Sequence, residues 1–181
     1  MNKTKKKIMV IEDESIVARD ILSTLKELGY QTSDVFTSGE EAIKNVSKVC
    51  PDLILMDIKL KGKLDGIQTG EQIYKKFRIP IIYLTGHADD SLFSRTKYSR
   101  PYGYIVKPFD PSALQTTIEI GLYKHEFENL LVSDTENAIA TIIGCIELLL
   151  EDNKTYNKET LSKLEMIRTS ANEIKDTIDK F

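Results

Sequence analysis

The chain has 181 residues, 41% hydrophobic and 29% charged, a composition ordinary for a folded globular protein with room for one domain and a smaller appendage. No apolar run approaches the roughly 20 residues that span a bilayer, and the basic start Met1–Lys7 leads through Ile8-Met9-Val10-Ile11 straight into Glu12-Asp13-Glu14, so no signal-peptide core is expected. Net charge is −3 but uneven: from His125 onward there are 12 acidic residues against 6 basic, which argues against a tail that reads DNA.

Ile8–Ile11 reads as a first buried strand. Ile16, Val17, Ile21, Leu22, Leu25 and Leu28 then fall at helical spacing, stopped by Gly29. Thr32 to Phe36 suits a short second strand. Ser38-Gly39-Glu40-Glu41 has the spacing of a capping box ahead of Ala42, Ile43 and Val46. After Cys50-Pro51 comes Leu53-Ile54-Leu55-Met56, a run apolar on both faces that ends in Asp57. Asp65-Gly66 marks a turn and Gly70 to Phe77 a third helix. Ile81–Thr85 is a fourth strand, followed by a polar helix from about Asp89 to Tyr98. Tyr104-Ile105-Val106-Lys107 is a fifth strand, closed by Pro108. Short strands alternating with amphipathic helices predict an α/β fold with a parallel, doubly wound, flavodoxin-like sheet of five strands and five helices.

Asp110-Pro111 has the form of a helix start, and Leu114, Ile118 and Leu122 form its inward stripe. No stop follows, so the helix is expected to leave the domain and run to about Leu150, with Gly121 and Gly144 as soft spots. Beyond a polar connection from Asp152 to Asn157, a heptad-like seam recurs at Leu161, Leu164, Ile167, Ala171, Ile174, Ile178 and Phe181. It faces Ile139, Ile142, Ile143, Ile146, Leu149 and Leu150. The expected organisation is residues 1–124 as the α/β domain and 125–181 as a helical linker and αα-hairpin. Two helices bury little alone, so the hairpin is expected to pair with a second copy as a four-helix bundle. Cys50 and Cys145 are far apart without metal-ligand spacing, which fits a reducing cytoplasm.

The strand ends carry the chemistry: Glu12-Asp13, Asp57, Thr85 and Lys107. Taken alone, Asp57 could equally cap a turn. Three carboxylates in one crevice repel one another and call for a cation. Oxygen donors without His or Cys suit Mg²⁺. With a hydroxyl and an ammonium beside them, the set suits phosphoryl transfer onto a carboxylate.

Val10-Ile11-Glu12-Asp13-Glu14, Leu55-Met56-Asp57, Leu84-Thr85-Gly86 and Gly103-Tyr104-Ile105-Val106-Lys107-Pro108-Phe109 resemble the receiver domain of two-component response regulators, over residues 8 to about 124. The resemblance implies that Asp57 accepts a phosphoryl group from a sensor histidine kinase. It implies that Asp13, Asp57 and the Lys59 backbone carbonyl bind Mg²⁺, with Glu12 acting through water. Lys107 would pair with the phosphoryl group, Thr85 would turn to hydrogen-bond it, and Tyr104 would follow as the switch aromatic; a surface tyrosine is the alternative for Tyr104. Lys59 and His87 stand where the family tunes dephosphorylation, although His87 also suits plain solvent exposure. The loop Lys59–Gly66 departs from the family in being slightly long and cationic and in lacking its usual proline.

The tail from Ser133 to Leu149, with Leu164–Ala171, resembles the dimerisation and phosphoacceptor hairpin of histidine kinases, with Ser133 where the phosphoacceptor histidine would fall. Serine lacks the imidazole nitrogen, so kinase chemistry is not expected. His125 reads as a solvent-exposed linker residue, and any two-helix coiled coil is the alternative for the whole tail. The expectation is a cytoplasmic, dimeric, non-enzymatic response regulator whose output is protein–protein contact, without direct DNA or membrane binding. The alternatives are a phosphotransfer module, a truncated hybrid kinase or a phosphate sink.

Overall fold

A computed structural model of the chain describes residues 5–86, 100–151 and 156–178. The expected helix between Asp89 and Tyr98, together with His87, Asp152 and Phe181, lies outside the described residues. Five strands form one parallel sheet: β1 (Lys7–Ile11), β2 (Gln31–Phe36), β3 (Leu53–Asp57), β4 (Ile81–Thr85) and β5 (Gly103–Val106), in the order β2-β1-β3-β4-β5. This is the flavodoxin-like, doubly wound arrangement, whose crossovers pass on both sides of β1 and β3. Every residue of β3 and β4 is buried, as the uninterrupted apolar runs require.

Helices α1 (Ser15–Glu27), α2 (Gly39–Val49) and α3 (Gly66–Phe77) cover the sheet. In α1 the buried side chains are Ala18, Ile21, Thr24 and Leu25, whereas Ile16 is 86% exposed despite its apolar character. Ile16 therefore does not belong to the inward stripe predicted for it: it lies in the first turn of α1, and the buried stripe begins at Ala18. The box at α2 is only half formed. Ser38 accepts from the Glu41 N–H at 3.4 Å, but the Glu41 carboxylate accepts from the N–H of Thr37 rather than of Ser38. The reciprocal box sits at α3 instead, where Asp65 accepts from Gln68 N–H at 2.8 Å and Gln68 accepts from Asp65 N–H at 3.1 Å. The helix accordingly begins at Gly66, four residues before the predicted start at Gly70, because the cap outweighs the turn-like look of Asp65-Gly66.

The long helix α4 runs unbroken from Pro111 to Glu151. Asp110 caps it, its carboxylate accepting from the N–H groups of Ser112 and Ala113 at 2.8 and 3.0 Å. Those bonds favour the ionised form and hold the Asp110 carboxyl below its ordinary value of 3.8, the Ala113 N–H contributing most. A depressed carboxylate contributes stability that is present above 3.8 and lost as pH falls through the lower folded value. Asp110→Ala is thus expected to lower the thermal midpoint at pH 7, and the gap to wild type to narrow as pH falls below 3.8. A gap that persists undiminished at acid pH would sink this account of the cap.

Leu114 and Ile118 are fully buried in the sheet core and Leu122 packs against it. Gly121, predicted as a soft spot, has a packing reason: a Cβ there would lie 3.2 Å from Ile82 Cδ1 and 3.4 Å from Leu53 Cδ1. The helix approaches the sheet closely enough that a side chain there would press the Ile82 and Leu53 methyls aside by a few tenths of an ångström.

The chain divides into two compact units, residues 1–125 and 126–181. In the second, α5 (Lys158–Ile178) starts at Asn157, whose side chain accepts from the Thr160 N–H at 2.8 Å. Ile139, Ile146 and Ala171 are buried there, and Leu161, Leu164 and Ile178 half-buried. Ile142 (47% exposed) and Ile167 (50% exposed), with Leu149 and Ile174 seven residues further on, face outward. Four of the twelve described residues of the predicted apolar seam are therefore left uncovered. No helix among the described residues is long and apolar enough to cross a membrane.

Candidate functional site

Strand register assembles the site. Ile11 lies beside Met56, Asp57 beside Leu84, and Thr85 beside Val106. The residues at or just past these pairs, Glu12, Asp13, Asp57, Thr85 and Lys107, therefore emerge together at the carboxyl edge of the sheet, where open α/β folds bind their ligands. Main-chain bonds extend the pairing into the loops: Glu12 N–H donates to Phe36 O at 2.9 Å, and Lys107 N–H to Thr85 O at 2.7 Å.

One carboxylate oxygen from each of Glu12, Asp13 and Asp57 lies within 4.8 Å of the others. Lys107, followed by a cis bond to Pro108, bridges two of them, its Nζ donating to Glu12 Oε2 at 2.5 Å and to Asp57 Oδ1 at 2.9 Å. Glu12 is fully buried and also accepts from the Glu14 N–H at 3.1 Å. Burial pushes the Glu12 carboxyl above its usual range, and the Lys107 hydrogen bond only partly offsets it. Burial also disfavours the Lys107 ammonium, but its bonds to Glu12 and Asp57 outweigh this and raise it above the ordinary lysine value. Lys107 thus stays charged, an electrostatic clamp on the carboxylates.

Thr85 is buried at the end of β4. Tyr83 and Tyr104 sit opposite each other in register and stack with centroids 6.1 Å apart. The two-residue period places Thr85 on the same face as this pair. His125, predicted to be solvent-exposed, is instead half-buried: its Nδ1 is 3.2 Å from the Tyr102 hydroxyl and its ring meets that of Tyr102 edge-on. The hydroxyl and aromatic face supply partners that spacing along the helix could not reveal.

Glu12, Asp13, Asp57 and Lys107 meet at the sheet edge, joined by Lys61, which was given no role from its place in the sequence. Its Nζ reaches Asp13 Oδ2 at 2.9 Å. Glu40, in the first turn of α2, accepts from the Lys63 N–H at 2.9 Å and so fastens the same loop. The excess of lysines between Lys59 and Lys63 was the available signal; which of them turns inward was not.

The chain matches the family described as "Response regulator receiver domain" over residues 8–119. It belongs to that family. The chain is 32% identical over 142 residues to "Transcriptional regulatory protein PdtaR" of Mycobacterium tuberculosis, an alignment covering 78% of this chain and 67% of that one. It therefore spans about two thirds of that relative's length. It is also similar to the solved signal receiver domain of a modulated diguanylate cyclase from Desulfovibrio desulfuricans G20, at 34% identity and TM-score 0.66, covering 69% of this chain and 99% of that one. A third relative is the receiver domain of the sensor histidine kinase PA1611 from Pseudomonas aeruginosa PAO1, whose crystals hold a magnesium ion in the active-site cleft. It is 27% identical with TM-score 0.60, covering 66% of this chain and 98% of that one. The receiver's acidic cluster has the hard oxygen donors that Mg²⁺ takes.

Proposed function

We propose that this protein is a response regulator in which Asp57 takes a phosphoryl group from the phosphohistidine of a sensor kinase. The observation that carries the reading is the three-carboxylate crevice bridged by Lys107. In the transfer an Asp57 carboxylate oxygen attacks phosphorus, the new O–P bond forms as the N–P bond breaks, and the departing imidazole regains a proton from water. Asp13, Asp57 and the Lys59 carbonyl would hold Mg²⁺, with Glu12 placed to act through water; the ion supplies charge neutralisation for phosphoryl oxygens. Lys107 already lies on Asp57 and provides the remaining positive charge, and Thr85 offers a hydroxyl from the end of the neighbouring strand. Movement of Thr85 toward the phosphoryl group would free space on the face it shares with Tyr83 and Tyr104, which makes Tyr104 the switch.

Residues 1–124 form the receiver in this reading, and 125–181 carry the output as a homodimeric hairpin in the cytoplasm, acting through protein contacts without direct DNA binding. Its acidic excess and uncovered heptad stripe at Ile142, Leu149, Ile167 and Ile174 support it. Incubation with a phosphohistidine donor tests the transfer: label should appear only with Mg²⁺ and vanish with chelator. Absence of label under any divalent ion would overturn it. For the output, light scattering of the full chain should give twice the chain mass. Ile142→Asp with Ile167→Asp should weaken that association at least about 100-fold, since several apolar side chains lose their burial. A monomeric wild-type chain would dispose of the dimer.

A further inference from the structure

Lys61 has a place in the site that the family resemblance does not supply. Its side chain is 83% exposed, yet its ammonium ends on the Asp13 carboxylate, which is only 7% exposed. One hydrogen bond to Glu40 holds the loop in that position, and the backbone passes close to the same carboxylate at Gly62. Glu40 accepts from the Lys63 N–H at 2.9 Å, and Gly62 takes φ +145°, where a Cβ would lie 2.9 Å from Glu40 Oε2. The loop is thereby fastened to α2 on the far side of Lys61.

Charge balance gives the pairing a consequence. The three carboxylates, with Lys107 on Glu12 and Asp57, leave two negative charges, which a single divalent cation neutralises. Lys61 supplies one of the needed positive charges from within the chain, on Asp13, a carboxylate proposed above as a metal ligand. We propose that Lys61 is a tethered cation that competes with Mg²⁺ for Asp13, so that loading of the site requires Lys61 to withdraw. The proposal rests on Asp13 being a Mg²⁺ ligand, as in the function proposed above. It makes the cationic loop a determinant of metal affinity, with Glu40 as the residue that positions it.

The test is a Mg²⁺ titration of the full chain, without phosphoryl donor, followed through the amide chemical shifts of Asp13 and Asp57. Lys61→Met is compared with Lys63→Met, which removes an equal charge from the same loop but not the ammonium on Asp13. Because Lys61 projects into solvent along most of its length, neither change disturbs the core. Lys61→Met is expected to tighten the Mg²⁺ dissociation constant about three- to fivefold, the range of an exposed ion pair, and Lys63→Met to change it less than about half as much. Equal shifts in the two variants, or no shift in either, overturn the competition while leaving the metal site in place. If none of the three proteins saturates with Mg²⁺, the metal site itself falls and the competition with it.

Discussion

Asp57→Ala should reduce phosphoryl label to background, a loss of at least about a hundredfold, because the attacking oxygen is removed and no neighbour can replace it. Asp13 and Glu12 are carboxylates too, but Asp13 would be committed to Mg²⁺ in the labelling reaction and Glu12 accepts from both Lys107 and the Glu14 N–H. Glu12 is moreover fully buried. Asp57 has one oxygen on Lys107 and sits where β3 ends, at the carboxyl edge of the sheet. The substitution should leave the fold intact, since Lys107 keeps Glu12 as its partner. Wild-type label should survive brief acid and be cleaved by hydroxylamine, as an acyl phosphate is. Label that persists in Asp57→Ala and is lost in acid would place the phosphoryl group on a histidine, favouring a phosphotransfer module and pointing to His125.

Gly66→Ala should be the most destabilising small substitution in the receiver. A Cβ at Gly66 would stand 1.9 Å from the Asp57 carbonyl oxygen and 2.9 Å from Ile58 Cα. Both are main-chain atoms at the strand end that carries Asp57, so neither can rotate away. Gly66 is further pinned by its N–H bond to Ile58 O at 2.9 Å and by the capping box at Asp65. Relief requires α3 to shift off the sheet or the end of β3 to move, at about 2–4 kcal/mol. The thermal midpoint should drop by roughly 5–15 °C, and labelling should slow as Asp57 is displaced. Gly144→Ala is the contrast, with nothing within 4 Å of its Cβ in the helix. It should stabilise by about 0.5–1 kcal/mol. A Gly66→Ala protein that melts within a degree or two of wild type would mean that the α3 start is not braced against Asp57.

Much of the molecule could be read without coordinates, and the reason is periodicity. Leu53–Met56 and Ile81–Leu84 are apolar at every position, which only a doubly covered central strand tolerates, and both strands lie where they were expected. The long helix was legible because Asp110-Pro111 starts it and nothing between Leu122 and Leu150 stops it. Boundaries set by side-chain caps were harder. The start of α3 depended on whether Asp65 would find Gln68, and a glycine after the cap looked like a turn.

By itself, then, the order of residues determined the strand set, the parallel sheet and the acids, hydroxyl and lysine at its carboxyl edge, because local burial pattern and strand-end chemistry are properties of neighbours in sequence. Tertiary structure alone decided which lysine of the loop reaches Asp13, that Lys107 spans both Glu12 and Asp57, and that Gly66 and Gly121 are held small by main chain and side chains brought in from elsewhere. Apart from that of Gly66 with Asp57, nine residues away, such contacts join residues dozens of positions apart. They depend on where a loop is fastened and how closely a helix approaches the sheet, and neither distance is written in the spacing of residues along one element.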